Sequence, residues 1–385
     1  MVRPVHRAQH IQHVESLSEF ETLLDRLLDD KLAGVHILKV DLREKAPELD
    51  ALDPRGALFA ECQLPAGYDE SLRAAGALVF PKLPAFPFDP YRSQLYTAEE
   101  LFEGIHDREY EHVPDTQIYA WSTEDHPESA NAALAVSLHD HAINIALERA
   151  HPENRRLVGV MGGHSSVRGS ENYAFAAELG HLLANAGFTV ATGGGPGSME
   201  AANLGAYLYR LSPEELRAAL SDFSGEFDNP TLWARNAMRL RQAYPQSGEN
   251  RSLGIPTWAY GHEPPNVFAN TIAKYFTNAI REAILLEKCG GGIVFLPGAA
   301  GTIQEIFQDA CENYYAPTSK LAPMILVGSE YWRQRYPVWQ LLTALAKDTP
   351  MEDYVHLVDD AESALSLVRR HQRRSSRALE RDARS

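Results

Sequence analysis

The sequence predicts an α/β fold. An open parallel sheet with helices on both faces is expected over residues 131–368, preceded by a smaller N-terminal α+β region over 1–130 and followed by a basic tail over 369–385. Two observations predict it. Short apolar runs at 157–160, 188–191, 252–258, 293–296 and 324–327 are separated by helical segments, and strands that alternate with helices build parallel sheets. Three of these runs end in loops with almost no side-chain bulk, as Rossmann-like sheets do at the edge where ligands bind. The chain has 385 residues, 44% hydrophobic and 23% charged, enough for about two domains with sizeable cores.

In chain order, Leu17, Phe20, Leu23, Leu24, Leu27 and Leu28 recur at helical spacing and predict an amphipathic helix over 16–30. Strand-like pieces follow at 35–42, 57–60 and 77–80, then a proline-rich packed loop at 81–93. No internal repeat and no chemistry are read in this region. Residues 106–130 are polar and read as a connector, and a helix is expected over 131–150. Its His139-Asp140-His141 is assigned to ordinary polar positions, because residues i and i+2 face different ways on a helix. The tail, with seven arginines in 369–385, reads as a frayed, solvated terminus.

Composition excludes several partners. A net charge of -16 repels a phosphate backbone, so nucleic acid is not expected, although a local nest of amides can still hold a small anion. The three cysteines, Cys62, Cys289 and Cys311, give neither a disulfide framework nor zinc spacing. They suit a reducing cytoplasm. No run approaches the ~18 apolar residues of a membrane span, and the N-terminus lacks the apolar stretch of a signal peptide.

The three loops carry the chemistry. They read MGGHSSVRGS (161–170), TGGGPGSME (192–200) and PGAAGTIQE (297–305). Each offers backbone amides ahead of a helix, and glycine lets a ligand approach the backbone closely. Together they suggest a phosphorylated ligand. The dinucleotide fingerprint is absent, since Ser198 stands where its third glycine belongs, and so is the G-x-x-x-x-G-K-[ST] loop. Thr302 and Glu305 form T-x-x-E, a capping-box pattern; Glu305 can equally face the cleft. A helix over 266–288 running antiparallel to the next strand would bring Arg281 level with the third loop.

These motifs resemble the LOG ("lonely guy") family, once labelled lysine decarboxylases. Its hallmarks are a triple-glycine loop ending in methionine, a PGG-x-GT-x-x-E loop and an arginine on the preceding helix. Here they read GGGPGSM (193–199), PGAAGTIQE and Arg281, with Ala299 in place of a glycine. GGHSS (162–166), TGGGPGSMEAANLGA (192–206) and HEPPN (262–266) are similar to the larger branch, the pyrimidine/purine nucleotide 5'-monophosphate nucleosidases. That resemblance implies hydrolysis of a nucleoside 5'-monophosphate to free base and ribose 5-phosphate, with no metal or cofactor, by a homodimer or higher homo-oligomer.

It implies Glu305 as the group that stabilises the sugar cation and activates water, and Arg281 as its partner or as a phosphate ligand. The loop Gly298, Ala299, Ala300, Gly301 and Thr302 would hold the phosphate. Gly193, Gly194, Gly195, Gly197, Ser198, Met199 and Glu200 would line ribose and phosphate. Gly162, Gly163, His164, Ser165, Glu263 and Asn266 complete the expected substrate-binding set. A non-catalytic nucleotide sensor or carrier on the same fold is the alternative reading. A decarboxylase would need pyridoxal phosphate on a lysine, and the three loops contain none.

Overall fold

The structure is a computed structural model that describes residues 11–27, 29–124, 130–152, 154–223, 229–245, 249–259 and 263–382. It divides into two compact units, one of Pro4–Gln94 with Asp125–Ala150 and one of Leu95–Glu124 with His151–Ser385. This differs from the expected boundaries at 130 and 368. The stretch read as a connector is built into the larger unit as far as Glu124, and the helix Ala130–Ala150 belongs with the smaller one.

The smaller unit is a parallel sheet rather than an α+β region. Strands β1 (Gln12–Val14), β2 (Val35–Leu38), β3 (Leu58–Ala60) and β4 (Leu78–Phe80) pair in chain order, all parallel. A helix follows each of the first three strands: Leu17–Arg26, Ala46–Ala51 and Tyr68–Ala74. Paired residues Gln12 and Val35, His36 and Leu58, and Leu58 and Leu78 lie 23, 22 and 20 positions apart. The unit is therefore a repeated strand–helix coil, contrary to the expectation of no repeat. Gly34, Gly56 and Gly76 precede β2, β3 and β4 at φ of 79°, 75° and 99°. They also stack, with Gly34 N–H donating to Gly56 at 3.1 Å and Gly56 N–H to Gly76 at 3.2 Å. Phe20, Leu23, Ile37, Phe59 and Leu72 fill one core.

His13 and His36 stack at 5.5 Å, with His141 tilted 6.2 Å from His36. His139 and Asp140 are buried and hydrogen-bonded at 3.2 Å rather than being ordinary polar positions. Burial, reinforced by Arg149 and the neighbouring imidazoles, lowers His13 to about 4. Burial likewise lowers His36 to about 4. The unfolded chain therefore takes up protons below the ordinary histidine value of 6.5 that the folded unit refuses. The stabilising contribution of these two neutral imidazoles is expected to be full above that value and to be lost as pH drops from it toward about 4. Urea unfolding across that range checks this, and His13→Phe should flatten the fall.

In the larger unit, seven further strands form one parallel sheet: β5 (Leu157–Met161), β6 (Thr189–Thr192), β7 (Ser252–Gly254), β8 (Thr271–Ile272), β9 (Ile293–Phe295), β10 (Met324–Val327) and β11 (Val355–Val358). Their order is β11-β10-β9-β5-β6-β7-β8. β5, β6, β9 and β10 are buried throughout, as strands covered by helices on both faces must be. Tyr96 pairs with Ile272 in both directions, at 2.9 and 2.8 Å, and covers the outer edge of β8. A buried ion pair between Asp115 and Lys274, at 2.6 Å, anchors the same segment, with Tyr110 O–H and Trp258 N–H donating to Asp115.

Two further expectations are corrected. Residues 266–288 are not one helix: β8 lies within them and the helix is Asn278–Lys288. The two-residue strand sits in VFANTIAKYF, whose apolar residues read equally well at helical spacing. As far as Asp382 the tail is helical rather than frayed, as part of the helix Ala361–Asp382, and 383–385 lie outside the described residues. His371 meets the Gly290 carbonyl at 3.3 Å, and Arg155 donates to the Ser375 carbonyl at 3.4 Å. Arginine is a good helix former, so charge alone did not imply disorder. Among the described residues, no helix is long and apolar enough to cross a membrane.

Candidate functional site

The registers bring the three loops to one height. Met161 ends β5 opposite Phe295 of β9, and Gly159 of β5 pairs with Ala191 of β6. The loops are also stitched together through backbone. Gly163 N–H donates to the Pro297 carbonyl at 3.1 Å, and Ser198 N–H donates to the Gly163 carbonyl at 3.1 Å. Gly197 has φ of 73°, and a Cβ there would lie 2.4 Å from the His164 carbonyl oxygen. Gly162 is pressed between Leu296 and Ser198 in the same way, each 3.0 Å from where a Cβ would stand. The glycines thus let three backbones meet in one cradle. Ser198 Oγ closes it by bonding Ser166 Oγ at 2.8 Å.

Beneath the cradle, the helices Glu171–Asn185 and Ser198–Tyr207 touch backbone to backbone. A Cβ on Gly180 would lie 2.1 Å from the Ala202 carbonyl oxygen, and one on Gly205 would lie 1.8 Å from that of Ala177. This contact sets where the second helix begins, and so where its free N-terminal amides point.

The third loop leads into the helix Ala300–Tyr315. Its N-cap is Ala299, at φ −106°, with no side-chain cap bond. The capping box expected from Thr302 and Glu305 is therefore absent: the helix starts too early for Thr302 to cap it, and Glu305 lies in the second turn. The Ala299 methyl is exposed and its φ is negative, so the alanine meets neither a clash with a packed neighbour nor the left-handed region that favours glycine. Ala299, Ala300 and Gly301 leave the first-turn amides uncovered. Gly298 is constrained, since a Cβ would lie 2.1 Å from Thr302 Oγ1, and Tyr331 O–H donates to its carbonyl at 2.8 Å.

Glu305 makes no hydrogen bond or close ion pair among the described residues. Burial pushes its carboxyl up to about 7, opposed by Arg281 and helped by Glu282. Arg281 is 7% exposed and its Nε is buried without a partner. Its Nη1 lies 3.6 Å from where a Cβ on Gly193 would stand, so the guanidinium abuts the triple-glycine loop. Glu282 ties the two helices together, accepting from Asn278 at 2.7 Å and from Gln304 at 3.0 Å. On the far side of the loop, Met199 Sδ is 2.9 Å from a Cβ on Gly193, and Glu263 Oε2 is 3.3 Å from one on Gly195. His164 faces Glu263 at 3.8 Å. Ser165 is exposed beside them, and His262 lies outside the described residues.

Two expected ligand contacts are structural instead. The Glu200 carboxylate is gripped by Arg168 through Nε at 3.1 Å and through Nη2, with both side chains buried. Arg168 also lies 4.0 Å over Phe223 and donates to the Trp233 carbonyl at 3.1 Å. Asn266, fully buried, donates to the Gly195 carbonyl at 3.2 Å and to Asn203 at 3.0 Å, while its N–H holds the Gly194 carbonyl at 2.7 Å. Thr192 and Ser252 complete that network with Asn203. Arg168, Thr192, Asn203 and Tyr331 support the loops and were not foreseen. Arg168 and Thr192 lie inside or beside loops already singled out, which was the available signal.

Residues 238–368 match the family model described as possible lysine decarboxylase, and residues 155–209 match that of the SLOG cluster4 family. Together these span all three loops, Arg281 and Glu305. This is a LOG-family protein. No curated protein matches the chain. Among solved structures, it is similar to the molybdenum cofactor carrier protein of Chlamydomonas reinhardtii. The identity is 17% over 56% of this chain and 96% of that one, with a TM-score of 0.35. The decarboxylase label does not fit the lysines of this LOG-family unit. Lys274 is buried on Asp115, and Lys288 faces Asn154 at 3.4 Å. Lys320 and Lys347 precede β10 and β11, at the opposite edge of the sheet from the loops.

Proposed function

We propose that this chain hydrolyses the N-glycosidic bond of nucleoside 5'-monophosphates, giving free base and ribose 5-phosphate. The observation that carries the reading is Glu305: a partly buried carboxyl without a hydrogen bond among the described residues, one helical turn behind an exposed loop of small residues, and pushed up to about 7. A base poised near 7 is suited to activating water. The amides of Ala300, Gly301 and Thr302 would receive the 5'-phosphate. Arg281, whose Nε has no partner, would reach the phosphate or ribose from the glycine-loop side. As the bond to the base lengthens, positive charge grows on the sugar and the Glu305 carboxylate stabilises it. The carboxylate then takes a proton from the attacking water, whose oxygen bonds to the sugar carbon as the base departs with the bonding electron pair; the base takes up one proton from solvent and Glu305 returns its own to solvent, so that the two protons balance. His164 and Glu263 would meet the base or ribose.

Incubation of the purified chain with AMP, GMP, IMP, CMP and UMP, with assay of free base and ribose 5-phosphate, tests this. Binding without release would favour the sensor or carrier reading instead. The pH profile gives a second check. With Glu305 acting deprotonated, kcat/KM should fall as pH drops through about 7. Arg281→Ala should move that limb to higher pH and Glu282→Gln to lower pH, because the first charge favours the carboxylate and the second opposes it. A limb that neither variant moves belongs to another group.

A further inference from the structure

The larger unit holds a second cleft, of about 530 Å³, at the end of the helix Ser198–Tyr207 away from the loops. Its lining includes Phe102, Tyr207 and Met238, each less than a tenth exposed. Its rim carries Glu103, His106 and Gln242. That helix begins at the triple-glycine loop and spans 10 residues, roughly 15 Å at ~1.5 Å each, so the cleft is separate from the cradle.

We infer that this cleft binds an uncharged nucleoside. The volume lies in the range of small-molecule sites, and the lining sets apolar side chains beside about as many charged and polar ones. The charges exclude a phosphate. The cation in the lining, Arg241, is already held by Glu99 at 2.9 Å and by the Val267 carbonyl at 2.7 Å, and its guanidinium lies 5.0 Å over the Tyr207 ring. What is open to a ligand is an acceptor: the Glu103 carboxylate has no partner among the described residues. His106 and Gln242, paired at 3.0 Å, offer a donor and an acceptor beside it. A flat base would lie on the apolar lining, ribose hydroxyls would donate to Glu103, and the base edge would meet Gln242. The cradle reads a phosphate through amides; this cleft reads hydroxyls through a carboxylate.

The test is equilibrium dialysis of the full chain against adenosine, guanosine, cytidine and uridine, with and without ribose 5-phosphate in excess. At least one nucleoside should bind. Binding should weaken about tenfold or more in Glu103→Ala and in Gln242→Ala, each losing a hydrogen bond from an exposed side chain, and be as tight with ribose 5-phosphate as without it. No binding to the wild type, binding that both cleft variants leave intact, or binding displaced by ribose 5-phosphate would each overturn the inference. Nucleotide hydrolysis enters none of these readings, so its failure would be distinguishable.

Discussion

Glu305→Gln is expected to lower release of base from nucleoside 5'-monophosphates by roughly 10²-fold or more, the usual loss when one group that stabilises transition-state charge is removed. Nucleotide affinity should change little, because in the proposed reading the phosphate would be held by amides several residues away. The substitution keeps the shape of the side chain and removes only the charge. Folding should not suffer: Glu305 caps no helix and makes no hydrogen bond or close ion pair among the described residues, and even partial desolvation of a carboxylate without a close partner is itself costly. A thermal melt at or above the wild type, with binding retained and turnover lost, would isolate the charge as the catalytic element. A variant as active as the wild type would remove Glu305 from the chemistry and turn attention to Glu263, 35% exposed by side chain and next to Gly195.

The parts of this site that could be read from sequence are those whose physics is local. An apolar run ending in glycines announces both a buried strand and a close-approach loop, and three such runs marked the cradle and its height. What escaped was set by partners distant along the chain. Glu200 reads as a loop carboxylate next to the glycines, but Arg168, 32 residues earlier, decides where it points. Asn266 reads as a ligand contact until Asn203 and the Gly195 carbonyl are seen to occupy its amide. The Thr302–Glu305 pattern misled for the opposite reason: a local motif was present, but the helix begins at Ala300, before the motif could act as its cap. The repeat in the smaller unit was hidden because each copy shows little beyond one glycine and a short alternating strand.

Glu200→Ala should destabilise the larger unit by about 3–5 kcal/mol, since it leaves the Arg168 guanidinium buried and unpaired. Urea unfolding followed by the fluorescence of Trp233, which stacks 4.8 Å from Arg168, would report it. Pairing Arg168→Met with Glu200→Met should recover much of the loss, because two apolar side chains of similar length leave no isolated charge behind. The double variant also separates two roles for Glu200. If the carboxylate only fixes the start of the helix Ser198–Tyr207, the repacked protein should keep its kcat and lose at most some affinity through a looser glycine loop. A double variant that is stable, binds nucleotide and has lost its turnover would place Glu200 in the chemistry, against the geometry, in which both carboxylate oxygens already face Arg168.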